Sequence, residues 1–197
     1  MGQSFEMILA TQCAPTLAGV KPASLFRWTP ERTAGQAGCG VCAGGETETW
    51  WGRVLSPFGI RMRLMKRCPF TGGRLVYLYR EQWLHRILDT EEIRGFLSGM
   101  GYDVTWNSVG LLHQLGQRLC AEARFPHEIG VFLGYPLEDV TGFIENHGRN
   151  YTCLGCWKAY GDPEIARQRF EQFHRCTAAC QESVRAGVPL TEFIATA

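Results

Sequence analysis

Apolar residues come in short blocks separated by glycine, proline and charged residues, and the spacing inside each block predicts an element. Phe5 to Cys13 reads as a helix that Pro15 ends or redirects before Gly19. Ser24-Leu25-Phe26-Arg27-Trp28 reads as a short strand. After a helix over Glu46 to Leu55, two extended segments, Ile60 to Lys66 and Arg74 to Tyr79, flank Arg67-Cys68-Pro69-Phe70-Thr71-Gly72-Gly73, the pattern of a β-hairpin with a long turn. Basic and apolar residues partly alternate from Arg61 to Lys66, whereas Leu75 to Tyr79 is uniformly apolar, which places the second strand nearer the sheet centre.

Glu81 to Leu88 and Thr90 to Met100 read as consecutive helices, the second opened by Thr90 with Glu91 and Glu92 in its first turn. Ser108 to Ala123 carries Val109, Leu112, Leu115 and Leu119 at helical core spacing. Ile129 to Tyr135, apolar except for two glycines, reads as a buried strand, and Pro136-Leu137-Glu138-Asp139 as the start of a helix running to about Asn146. Tyr151 to Tyr160 reads as the last strand, and Asp162-Pro163-Glu164 caps a C-terminal helix through Phe170 and Phe173. The expected fold is a single α+β domain over residues 1–197, with a mixed or antiparallel sheet of about five strands covered on at least one face by helices. Residues 29–45, rich in Gly, Ala and Thr without hydrophobic period, read as an exposed loop or disordered insertion.

Composition narrows the function class. At 197 residues the chain can bury a substantial core, and 45% hydrophobic with 20% charged residues is ordinary for a globular protein. A net charge of +1 gives no general attraction to nucleic acid, so no nucleic-acid partner is expected. No run approaches the roughly 20 apolar residues that span a bilayer, and Met1 onward lacks a basic, apolar and cleavable leader. No membrane association is expected, and the location reads as cytoplasmic. The nine cysteines are an odd number, so they cannot all pair, and in a reducing compartment metal binding or burial as thiols competes with disulfides.

Three motifs carry a family resemblance: Cys13-Ala14-Pro15-Thr16-Leu17-Ala18-Gly19-Val20-Lys21-Pro22-Ala23-Ser24-Leu25-Phe26, the run from His127 to Ile144, and Trp157-Lys158-Ala159-Tyr160. In that order they resemble an uncharacterised bacterial family, a domain of unknown function found mainly in anaerobes. The likeness spans most of residues 5–176. It implies no reaction; a connection with iron or redox metabolism is the expectation it carries. The stretch Ala34 to Gly45 and Cys156, which stands where an aromatic is expected, depart from the family pattern.

Candidate chemistry falls into three classes. Cys39-Gly40-Val41-Cys42 and Cys153-Leu154-Gly155-Cys156 have the spacing of zinc half-sites, although residues three apart on a strand face opposite ways. Cys176 and Cys180, four apart on a helix, either add ligands or face the core. Cys13 and His127 are the catalytic candidates for a thiol-dependent hydrolase or transferase, since a His can serve as base to a Cys. The run from His127 to Gly134 is similar to the histidine strand of papain-like and cell-wall peptidases, but Cys13 falls at the end of its helix, where the dipole raises a thiol pKa. The third class is a ligand site. Lys21, Glu128, Tyr135, Glu138, Asp139, Trp157, Lys158 and Tyr160 are its candidates. Alternate strand residues share a face, so Lys158 and Tyr160 project together and, with Trp157, suit a planar ligand such as a flavin, haem or nucleotide base. The plainer reading of the same residues is sheet packing with a snorkelling lysine, and of Glu138 and Asp139, helix-end electrostatics. The leading expectation is a protein that binds a small ligand or partner, with its cofactor unidentified.

Overall fold

The computed structural model describes residues 4–30, 45–121 and 125–196. Helix α1 (Phe5–Gln12) starts at Ser4, whose Oγ accepts the Met7 N–H, and Pro15 begins a second short helix, α2 (Ala14–Leu17), in place of a continuation. Strand β1 (Ala23–Trp28) and helix α3 (Gly45–Leu55) follow, then a single 3-10 turn over Ser56–Phe58. Strands β2 (Ile60–Arg67) and β3 (Arg74–Arg80) form the expected hairpin, and β3 is the central strand of an antiparallel sheet in the order β1-β3-β2. Three helices follow, α4 (Glu81–Leu88), α5 (Glu91–Gly99) and α6 (Ser108–Ala121). Next come α7 (Ile129–Phe132), α8 (Leu137–Glu145), a two-stranded hairpin of β4 (Cys153–Leu154) and β5 (Lys158–Ala159), α9 (Pro163–Arg185) and α10 (Leu190–Thr196).

The architecture is α+β, with the sheet content corrected. Among the described residues the strands are divided between a three-stranded sheet and a separate two-stranded one, in place of one sheet of about five. The run Ile129 to Tyr135 is helical at Ile129–Phe132 and turns at Gly134. A short, wholly apolar run buries equally well in either conformation, so its periodicity does not discriminate. The expected strand from Tyr151 to Tyr160 shrinks to a hairpin that pairs only Cys153 with Ala159 and Leu154 with Lys158.

Alternation along β3 builds two cores. Leu75, Tyr77 and Tyr79 face one side with Leu84, Leu97, Leu111, Leu115 and Phe132, whereas Val76 and Leu78 face the other with Leu9, Leu55, Leu190 and Ile194. Helices therefore cover both faces. Tyr77, fully buried, donates its hydroxyl to the Phe132 carbonyl, so the sheet centre fixes α7 directly. On the opposite face α1 packs on the C-terminal helices: Gln181 Nε2 donates to Thr11 Oγ1 at 3.2 Å, and the Leu190 N–H donates to Glu6 Oε1 at 3.1 Å.

Candidate functional site

Burial of one carboxylate organises the region around α8. Asp139 stands in the first turn of that helix and is only 4% exposed. Its Oδ1 accepts the backbone N–H groups of Tyr160 (2.6 Å) and Gly161 (3.0 Å), and its Oδ2 accepts the Trp157 indole N–H at 2.7 Å. A buried carboxylate is costly unless its oxygens are satisfied, and here the β4–β5 hairpin satisfies both. Gly142, one turn on, lies against the Tyr160 ring so closely that a Cβ would overlap it. The hairpin is thereby clamped to α8.

Between α7, α8 and the hairpin lies a cleft of about 360 Å³. Tyr135 and Trp157 stack at 4.7 Å with 20° between their planes and form one wall. Val140 and Phe143 line the cleft from α8, and the His127 ring lies 4.8 Å from that of Phe143. Lys158, also in the lining, donates from Nζ to the Gly148 carbonyl at 2.7 Å. Phe125 and Leu154 stand at the rim, 50% and 61% exposed. An ammonium at one edge of an apolar, ring-walled recess can receive a small molecule with an aromatic body and an acidic group.

The ligand candidates divide by position. Tyr135, Asp139, Trp157 and Lys158 line the cleft, as does the catalytic candidate His127, but Asp139 is occupied by the hairpin. Tyr160 turns its ring onto Gly142, and its buried hydroxyl has no hydrogen-bond partner among the described residues. Glu128 points inward, 2% exposed, where Tyr102 Oη donates to it at 3.1 Å and Arg118 Nη1 at 3.3 Å. Glu138 is exposed and its carboxylate abuts Gly161. Lys21 sits on a loop held at several points: the N–H groups of Val20 and Lys21 donate to the Pro15 carbonyl, the Arg80 N–H donates to Pro22 O at 2.8 Å, and Arg80 Nε donates to Thr16 O at 2.7 Å. Its Nζ is 5.2 Å from the Tyr135 ring centroid and 5.8 Å from that of Phe173. Phe143 and the rim residues Phe125 and Leu154 were missing from the sequence-derived set. Phe143 was within reach of it, since residues 139, 140 and 143 share a face of a helix.

The catalytic pair is not assembled. Cys13 is fully buried in the core around α1, where burial pushes its thiol far above the ordinary value, with Lys21 and Ser24 opposing weakly. His127 is exposed at the cleft. Of the metal candidates, Cys39 and Cys42 lie outside the described residues. Cys153 packs beside Phe170 and Ala166, while Cys156 is exposed. Among the described residues no group of three or more His, Cys, Asp or Glu side chains is placed to hold a metal ion, and no helix is long and apolar enough to cross a membrane.

The thiol environments give an expected alkylation order. The Thr71 hydroxyl and the backbone at Thr71 and Phe70 hydrogen-bond to Cys68 at the β2–β3 turn and lower its pKa. Burial raises Cys180 to about 12. Iodoacetamide at pH 7.5 should therefore modify Cys68 well before Cys13 or Cys180, as read by peptide mass mapping of a time course. Early modification of Cys13 would contradict this order.

Residues 9–194 match the family described as "Protein of unknown function (DUF3793)". No curated protein and no solved structure matches the chain.

Proposed function

We propose, for a chain that belongs to this family of unknown function, that it binds a small ring-bearing acid in the cleft between α8 and the β4–β5 hairpin. The observation that carries this reading is the stacked Tyr135–Trp157 wall facing a recess that also holds Lys158. Pockets for small molecules fall at roughly 300–1,000 Å³. At about 360 Å³ the cleft suits one or two fused rings better than a haem-sized macrocycle. Lys158 spends one N–H on the Gly148 carbonyl, which leaves two for a carboxylate or sulfonate. The described cysteines are free thiols, which supports a reducing, cytoplasmic setting.

Anilinonaphthalene sulfonate, a fluorescent ring-bearing anion, tests the reading. One molecule should bind per chain with enhanced fluorescence. Leu154→Glu, which puts a negative charge on the exposed rim opposite Lys158, should weaken binding at least about tenfold, and Lys158→Met should weaken it by a similar factor, equivalent to roughly 1.4 kcal/mol. A neutral naphthalene probe should lose affinity to the first substitution only. Indistinguishable binding of the sulfonate by all three proteins would sink the proposal.

A further inference from the structure

Cys156 is the cleft residue that ligand binding leaves without a task. It lies in the loop of the β4–β5 hairpin, where the Gly155 N–H donates to the Trp157 carbonyl at 3.1 Å. Gly155 is pressed against the Phe170 ring so closely that a Cβ would overlap it, so the loop rests on α9. Trp157 adds an edge contact to Phe170 with 4.6 Å between ring centroids. This seating brings Cys156 Sγ to 3.8 Å from His174 Nε2, one turn beyond Phe170 on the same helix. From the α2–β1 loop comes Lys21, lodged against the Tyr135 and Phe173 rings and close enough to Cys156 that each alters the other's proton affinity. A thiol beside an imidazole, with an ammonium in electrostatic reach, is thus built from three separated stretches of chain, and Cys156 lines the apolar cleft.

We propose that Cys156 is a nucleophile that accepts an acyl group from a thioester of a small aromatic or apolar acid, the acyl group being seated in the cleft. This rests on the ligand reading above and adds a covalent step to it. Although the residue as a whole is exposed, partial desolvation of its sulfur holds the Cys156 thiol above its ordinary value and Lys21 pulls the other way, so the sulfur starts protonated and requires a base. His174 Nε2 takes the proton as Sγ bonds to the thioester carbonyl carbon. The carbonyl π pair moves onto oxygen, where the Lys21 ammonium opposes the developing negative charge of the site. Collapse restores the carbonyl and breaks the bond to the departing sulfur, which receives the proton from His174. The products are S-acyl-Cys156 and a free thiol, with no oxidant or reductant consumed. A solvated cysteine beside a histidine by accident accounts for the 3.8 Å approach but not for an ammonium kept among rings within electrostatic reach of the same sulfur.

S-benzoyl-N-acetylcysteamine is the probe, with intact-mass and peptide mapping over time. A single benzoyl group should appear on Cys156, with Cys68 as the internal comparison for a reactive thiol outside the cleft. His174→Ala should slow the reaction on the order of 10²-fold at pH 7, and the deficit should shrink as pH rises and the thiol ionises unaided. Lys21→Met should slow it further and move the profile to higher pH. Among the described residues the ionisable groups facing Cys156 are Lys21, His174 and Tyr135, so these variants with Tyr135→Phe account for the profile. Benzoylation no faster at Cys156 than at Cys68, or a His174→Ala rate unchanged at every pH, would overturn the nucleophile. Failure of the two ideas is separable: one-to-one sulfonate binding without benzoylation removes only the covalent step, whereas Leu154→Glu benzoylated as fast as the parent protein removes the cleft as its acyl seat.

Discussion

Asp139→Ala should cost about 4 kcal/mol of folding stability and abolish the cleft. One side chain accepts three hydrogen bonds, two from backbone N–H groups and one from an indole, and it does so while 4% exposed. Truncation leaves all three donors facing a protein interior. A buried donor without a partner costs about 1–3 kcal/mol, and the three share one site, so the sum is less than additive. For a chain of this size the loss corresponds to a fall in Tm of about 10 °C. Asp139→Asn separates the contributions, because an amide keeps one acceptor and presents N–H groups to a donor. Thermal and urea unfolding give the stability, and sulfonate binding reports the cleft. A loss below about 1 kcal/mol in the Ala variant would show that the hairpin holds itself in place.

Gly134→Ala is the second large effect, about 3 kcal/mol, and its origin is steric. Gly134 has φ = +76°, where an L side chain costs about 1–2 kcal/mol. A Cβ there would also overlap the Pro22 ring. That ring has little room to retreat, since the Pro22 carbonyl accepts the Arg80 N–H at 2.8 Å. Overpacking of this kind adds about 1–3 kcal/mol. Gly59→Ala supplies the control, with φ = +69° but nothing within 4 Å of the added methyl, and should lose only about 1 kcal/mol. Equal losses at the two positions would remove the Pro22 contact from the account.

Local rules served well where an element is determined by its own residues. The β2–β3 hairpin, the amphipathic helices α4 to α6 and the Asp162 cap of α9, whose Oδ1 accepts the Glu164 N–H at 2.8 Å, were all legible. Ile129 to Tyr135 was not, because burial on all sides erases the period that separates helix from strand. Helix-end electrostatics described where Asp139 stands but not what it does, since its three donors lie 18 to 22 residues further along the chain. His127 and Glu128 looked like neighbours in one site, yet adjacent residues of a turn point apart, one to the cleft and one to Arg118. Trp157 and Lys158 were recognisable from their residue types. His174 was invisible beside Cys156, because only the seating of Gly155 on Phe170 brings them together.

The packing of α1 against α9 and α10 sets an order of events during synthesis. Thr11 meets Gln181 across a separation of 170 residues, and Glu6 meets Leu190 across 184. At about 5–20 residues per second, the ribosome needs roughly ten to forty seconds to supply those partners. Until then Phe5, Leu9 and Leu17 have only the sheet side of their core, with Phe26, Trp51 and Val76, to pack against, and the side that α9 and α10 cover stays bare. This half of the core therefore closes only after residues 181 to 190 have been made, whereas the half around Phe132 does not wait for them.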